Sequence, residues 1–299
     1  MPPSHTFFTA PPEWHWLIVL YFFFGGIAGG SFFIAALIDL FGRRRDSAVA
    51  RLGYAVAFAG AVLCPLFLIA DLTRPERFWH MLVQSHRGLP MFKYWSPISF
   101  GSWILLLFSG FAFLAYLGVL AENGRLRWAP LLALRRGALK PLIAAIGGVL
   151  ALCFAGYTGV LLTVTNRPIW ADTQLLGLLL LVSGATTAAA LLLLLSRRSG
   201  AIAPDSLRRL SRLETWSSVL ELVILAAVVL SLGRVAGVWL SAWGLLLAVG
   251  VVLVGILVPL ALHWRPGLLG RVSAPASAVM VLIGGFILRA VVVLSAQAV

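Results

Sequence analysis

Apolar residues come in eight long runs along this chain, separated by short polar connections that carry most of its charge. The runs cover about 14–42, 48–71, 94–121, 138–164, 171–196, 213–233, 237–262 and 274–297. Each has the roughly 20 residues a helix needs to cross a bilayer core, and more where it tilts. The pattern predicts an all-α polytopic membrane protein, with residues 1–299 as one integral membrane domain. The sixth run is interrupted by two carboxylates, Glu214 and Glu221. The connections are short except at 72–93, 122–137 and 197–212.

The chain from Asp71 to Trp103 breaks the pattern. An apolar run ends in a carboxylate, and Arg74, Arg77, His80, His86, Arg87, Lys93 and a band of aromatics follow before the third run begins. Charged groups placed where a membrane helix meets water need a reason.

Composition confirms lipid as the solvent. Hydrophobic residues make up 61% of the chain and charged ones 11%, with a mean hydropathy of +1.00. A soluble protein of this size could not hide that much apolar surface. The 23 Lys and Arg against 10 Asp and Glu would suggest nucleic acid in a soluble chain. Here they cluster in the connections, so membrane topology explains them and no nucleic-acid partner is expected. The N-terminal tail has no basic stretch and no small-residue cleavage site, so no leader is expected and the first run stays in place.

Orientation follows from the basic residues. Connections 43–51, 122–140, 197–212 and 263–271 hold most of them, which predicts both termini, and the Asp71–Trp103 stretch, on the outer side of a bacterial cytoplasmic membrane. Trp14, Trp16, Trp79, Trp95, Trp103, Trp170, Trp239 and Trp243 gather on that same side. In the first run, Gly25/Gly29 and Gly26/Gly30 have the small-xxx-small spacing of close helix packing, and Gly147, Gly148, Gly156 and Gly159 read the same way.

Ionisable groups inside the runs are costly and mark candidate sites. Asp39 and Glu122 fall near inner ends beside arginines, where local charge pairing accounts for them. Asp71 closes the second run, Glu221 lies well inside the sixth, and Arg289 lies about 12 Å from the outer end of the eighth. Arg289 requires a buried carboxylate or carbonyl, and Asp71 or Glu221 could supply it, either as a structural pair or as part of a proton relay. His15 and Tyr21 occupy the first turns of the first run, Tyr157 the last third of the fourth, and Asp172 stands as an N-cap for the fifth. Carboxylate, imidazole, phenol and guanidinium groups at one membrane side suit a polar head group whose oxygens gain and lose protons.

Other chemistries lack their residues. No two histidines are placed at membrane depth to hold a haem, and Cys64 and Cys153 cannot supply the four ligands of an iron–sulfur cluster. Nothing resembles a nucleotide loop, a zinc cluster or a hydrolase triad.

Three blocks in order carry a resemblance: E-W-H-W…G-G-I-A-G-G at 13–30, D-L-T-R-P-E-R-F-W at 71–79 and G-Y-T-G-V-L-L-T-V-T-N-R-P-I-W at 156–170, with L-R-A-V-V-V-L at 288–294 as a weaker fourth. With them the chain resembles the NrfD/PsrC family, the integral membrane subunits of nitrite, polysulfide and related respiratory oxidoreductases. The resemblance implies two four-helix bundles without a prosthetic group and a pocket for menaquinone or ubiquinone at the outer surface. It also implies a ferredoxin-like iron–sulfur subunit docked there, with a molybdopterin or other catalytic subunit beyond it. By matching position it places Tyr157 on the quinone, Asp71 in the site or its proton supply, and His15 and Tyr21 on the first-helix wall.

The expected function is therefore a quinone-reactive anchor that needs its partners for catalysis. Tyr157 and Asp71 carry the chemistry, with Arg74 and Arg289 holding or tuning that carboxylate. Arg77, His80, Arg87 and Lys93 form a docking surface, and Asp39, Glu122 and Glu221 would extend a proton route. A proton or small-solute transporter and a passive anchor are the rival readings.

Overall fold

A computed structural model describes residues 13–126, 128–199, 202–265 and 273–298. The N-terminal tail with His5, and with it the expectation of no leader, lies outside them, as do Arg127 and Arg271 of the basic connections.

Among the described residues the apolar runs fold into eight helices long and apolar enough to cross a membrane. They are α1 (Trp16–Phe41), α2 (Ser47–Asp71), α3 (Pro97–Glu122) and α4 (Leu139–Thr163), then α5 (Leu176–Ser199), α6 (Pro204–Ser231), α7 (Ala242–Trp264) and α8 (Ser273–Ser295). At 1.5 Å per residue a 25-residue helix is about 37 Å long, enough to span a bilayer core with some tilt. Helix starts carry local signals. Ser96 caps α3, its Oγ accepting from the Ser99 N–H at 3.4 Å, and proline occupies the first turn of both α3 and α6.

The helices form two four-helix bundles. α1 packs on α2 and α4, and α3 closes that ring; α5, α6, α7 and α8 form the second, in which α6 and α7 touch only sparsely. α1 joins the two, meeting both α5 and α8, and its apolar stretch is the most deeply buried of the eight. The paired glycines explain how. A β-carbon on Gly30 would come within 2.7 Å of the Ala188 side chain on α5, and one on Gly29 within 2.8 Å of the Ala151 carbonyl on α4. With lipid as apolar as any side chain, such close approach supplies the packing that holds membrane helices together.

The arginine-rich end is closed by ion pairs. Asp39 is buried between Arg135 and Lys140, with Lys140 Nζ at 3.2 Å, and accepts a hydrogen bond from the Tyr54 hydroxyl at 3.0 Å. Burial alone would weaken proton binding at Arg135, but Asp39 beside it overcomes this and raises its pKa. Glu122 meets Arg135 at 3.3 Å and Arg51 at 3.7 Å. Asp46 accepts from the Ser206 hydroxyl and meets Arg209 at 3.1 Å, tying the first bundle to the start of α6.

Three boundaries depart from the hydropathy pattern. α6 begins at Pro204, well before the apolar run, because its first turns are polar and basic on one side. α5 begins only at Leu176. Asp172 does not cap it; its Oδ2 accepts instead from the Ile169 N–H at 3.1 Å, three residues upstream. α7 is preceded by a tight turn, Gly233–Trp239, and contains a wide-turn segment, Leu246–Leu257, of the kind that disturbs regular side-chain register.

Candidate functional site

At the end opposite the arginine clusters, α2 stops at Asp71 and the chain enters a compact cap. A tight helical turn (Pro75–Met81) leads to two short antiparallel strands, β1 (Val83–Gln84) and β2 (Leu89–Pro90). Gly88 takes the left-handed backbone (φ 62°) that the reversal requires. The cap is fastened to α3: the Trp103 indole N–H donates to the Met91 carbonyl at 2.8 Å, and the Lys93 N–H donates to Ser99 Oγ at 3.1 Å.

This cap presents charge and aromatic rings together. Arg74, Arg77, Arg87 and Lys93 are exposed, Arg77 with Glu76 at 3.9 Å. His80 is half-buried against Trp79, their rings 3.9 Å apart. Phe78, Trp79, Phe92, Tyr94 and Trp95 are exposed around them.

Below the cap the first bundle brings polar groups together. Asp71 is half-buried at the rim, close enough to the exposed His15 at the start of α1 to interact electrostatically. Tyr157 lies about 9 Å in from the end of α4, and Tyr21 about as far in from the start of α1. The two phenols are near enough to interact, and the Cys64 thiol contacts the Tyr21 carbonyl at 3.8 Å. The Tyr157 hydroxyl donates to the Pro97 carbonyl at 2.7 Å. Its ring occupies the space a β-carbon on Gly101 would need, so α3 yields a glycine for it. With its proton committed to Pro97, this hydroxyl keeps its lone pairs free to accept.

Arg289 has other partners than Asp71. It is 1% exposed at the junction of the bundles. Its Nε donates to the Phe22 carbonyl at 3.1 Å, and Nη1 donates to Ser183 Oγ at 3.0 Å and to the Gly285 carbonyl at 2.7 Å. Ser183 and Thr186 hydrogen-bond the buried Glu221 carboxylate, so Ser183 bridges Glu221 to Arg289. Gly26 lies against Arg289 Nη2, where a β-carbon would come within 2.6 Å. Arg74 is exposed, and among the described residues no ion pair joins it to Asp71. Asp39 and Glu122 lie at the opposite end in the ion-pair cluster described above, apart from Glu221. Among the described residues no three His, Cys, Asp or Glu side chains converge as metal ligands.

A cavity of about 790 Å³ opens at the capped end of the second bundle, between α6 and α7. Leu225, Val229, Trp239 and Leu247 line it, and Arg234 is the one ionisable group in its lining among the described residues. Its walls suit a hydrocarbon chain better than a head group that exchanges protons.

The family model described as "Polysulphide reductase, NrfD" matches residues 5–299. The chain belongs to the NrfD family. It is 28% identical over 180 residues to a polysulfide reductase component of Wolinella succinogenes, a match covering 56% of this chain and 53% of that protein. It is 32% identical over 75 residues to a selenate reductase component of Mesobacillus selenatarsenatis, covering 25% of this chain and 18% of that protein. The chain thus aligns with about half the length of one relative and a smaller part of the other.

Within this NrfD-family chain, the connection after α4 adds residues that hydropathy does not single out. Trp170 is fully buried, its indole N–H donating to the Val292 carbonyl at 2.6 Å and its ring stacked 5.0 Å from Trp14. Arg167 is 7% exposed. Ile169 takes φ 72°, a strained backbone for a β-branched residue, of the kind held in place where surroundings over-determine it. The T-N-R-P-I-W block at 165–170 is the sequence signal for this segment, and it marks the place without assigning roles.

Proposed function

We propose that this chain is the quinone-reactive membrane subunit of a respiratory oxidoreductase, exchanging electrons between a menaquinone or ubiquinone pool and an iron–sulfur partner. The gathering of Tyr157, Tyr21, His15 and Asp71 in the capped half of the first bundle carries this reading. Interconverting quinone and quinol moves two electrons with two protons, so a site needs hydrogen-bonding groups at the ring oxygens and a carboxylate in touch with water. Tyr157 and Tyr21 stand below the rim, and Asp71 with His15 stands at it. Tyr157, its proton held by Pro97, accepts a hydrogen bond from a quinol hydroxyl. Asp71 exchanges protons with the outer water.

The relatives are components of polysulfide and selenate reductases by name, which supports a place in a complex of the same kind. The basic and aromatic cap is the surface for a ferredoxin-like iron–sulfur subunit, with a molybdopterin or other catalytic subunit beyond it. In this reading the cap faces outward from a bacterial cytoplasmic membrane and the arginine-rich end faces the cytoplasm. Purifying the complex in mild detergent tests the reading. Quinone extracted with the native complex, and depleted from a Tyr157→Phe, Asp71→Asn double variant, supports it. A partner retained with no quinone in either sample would mark a passive anchor instead.

A further inference from the structure

The second bundle holds a line of buried polar groups that the quinone reading does not use. Glu214, Ser218 and Glu221 stand at i, i+4 and i+7 on one face of α6, and all three are buried. At the arginine-rich end of the line, His263 of α7 is 16% exposed and places Nε2 at 3.0 Å from Glu214 Oε2. Its Nδ1 contacts the Pro259 carbonyl at 2.9 Å and Ser277 Oγ of α8 at 3.3 Å. At the deep end, Glu221 meets Ser183 and Thr186 of α5 and, through Ser183, Arg289 of α8.

A structural network in hydrocarbon satisfies its polar atoms. This one does not. Among the described residues, Ser218 Oγ and Arg289 Nη2 are buried without a hydrogen-bond partner, and Glu214 Oε2 lies near His263 without a formed hydrogen bond. Glu214 and Ser218 share one face of α6, where bridging waters would satisfy them, while Arg289 Nη2 lies against Gly26 of α1. The helical rise separates Glu214 from Ser218 by about 6 Å and Ser218 from Glu221 by about 4.5 Å, gaps that one or two waters bridge.

We propose that His263, Glu214, Ser218 and Glu221 form a proton half-path, entering the membrane from the arginine-rich end and ending at Glu221. A proton taken up at His263 passes to the Glu214 carboxylate, crosses at the Ser218 hydroxyl and neutralises Glu221. The path stops there, because the next group is the Arg289 guanidinium, which keeps its protons. The Pro259 carbonyl sets the imidazole orientation by holding Nδ1, leaving Nε2 to exchange with Glu214. This path stands apart from the quinone site in residues and in bundle, so either assignment survives failure of the other.

Infrared spectroscopy of the intact complex transferred into deuterated water tests it. The carboxylic-acid stretch of Glu221, assigned by its loss in Glu221→Gln, is expected to titrate with pH and to shift rapidly on deuteration. Filling the gap with Ser218→Val, or removing the entry group with His263→Phe, slows that shift by about tenfold or more, and Ser218→Thr restores it. A Glu221 band that never titrates, or one that exchanges equally fast in both Ser218→Val and His263→Phe, overturns the proposal.

Discussion

The Tyr157 hydroxyl donates to the Pro97 carbonyl at 2.7 Å, and the same ring fills the place that a β-carbon on Gly101 would take. α3 therefore sets both the direction and the depth of this phenol. A Gly101→Ala substitution must push the rigid ring away, since backbone and ring leave no flexible end to give. Overpacking of this kind costs about 1–3 kcal/mol. Partner-linked quinone turnover is expected to fall at least as far as in Tyr157→Phe, whose lost hydrogen bond costs about 1 kcal/mol. Turnover and thermal unfolding, measured side by side on the two variants, check the order.

Arg289 and Glu221 make a second prediction about stability. Replacing Arg289 by Met removes its hydrogen bonds to Phe22, Ser183 and Gly285 and leaves Glu221 buried without its counter-charge. Breaking a buried pair on one side costs about 3–5 kcal/mol. The double variant Arg289→Met, Glu221→Gln is expected to recover part of that loss, because no net charge remains buried. Thermal unfolding in detergent reads the coupling, and strictly additive losses would contradict it.

Asp39 is expected to matter to the fold and not to turnover. Asp39→Asn leaves Arg135 and Lys140 without their shared carboxylate in a site where Asp39 is 1% and Arg135 is 5% exposed. A loss of about 3–5 kcal/mol follows. Activity per folded molecule is expected to stay within about twofold of native, since this cluster is at the far end from the proposed quinone site. Folded yield and specific turnover, measured separately, distinguish the two effects.

The cap's charges predict a salt-dependent association. Arg74→Glu, Arg87→Glu and Lys93→Glu lie on exposed positions, so they are expected to slow partner capture and to flatten its salt dependence while leaving stability within about 0.5 kcal/mol. Surface plasmon resonance at two ionic strengths reads this. Unchanged association in the triple variant would place the docking surface elsewhere.

How much of this was legible in the sequence depends on the range of each interaction. The eight spans were legible because burial in lipid is written residue by residue as hydropathy, and the glycine stripe at 25–30 announced a close helix contact, whose partners, α4 and α5, only the structure supplies. The polar start of α6 was not, since its first turns lie among charged residues where hydropathy falls silent. Pairings between distant helices were the least legible. Arg289 advertised a need for a partner, but only packing decides between Asp71 and Glu221, and it chose Glu221 through Ser183. Glu214 and His263 gave no pattern that joins them, and neither did Tyr157 and Gly101, which meet only because α3 and α4 are neighbours.

Tyr157 and Asp71 remain the residues on which the proposed function turns. The most direct measurement is quinone turnover linked to the iron–sulfur partner, in complexes carrying Tyr157→Phe and Asp71→Asn singly and together, with folded content matched. A loss of about 10²-fold or more in at least one single variant is predicted, the usual scale for a positioned proton-transfer group. Native turnover in both single variants and in the double variant would contradict the assignment of the quinone site to this end of the first bundle.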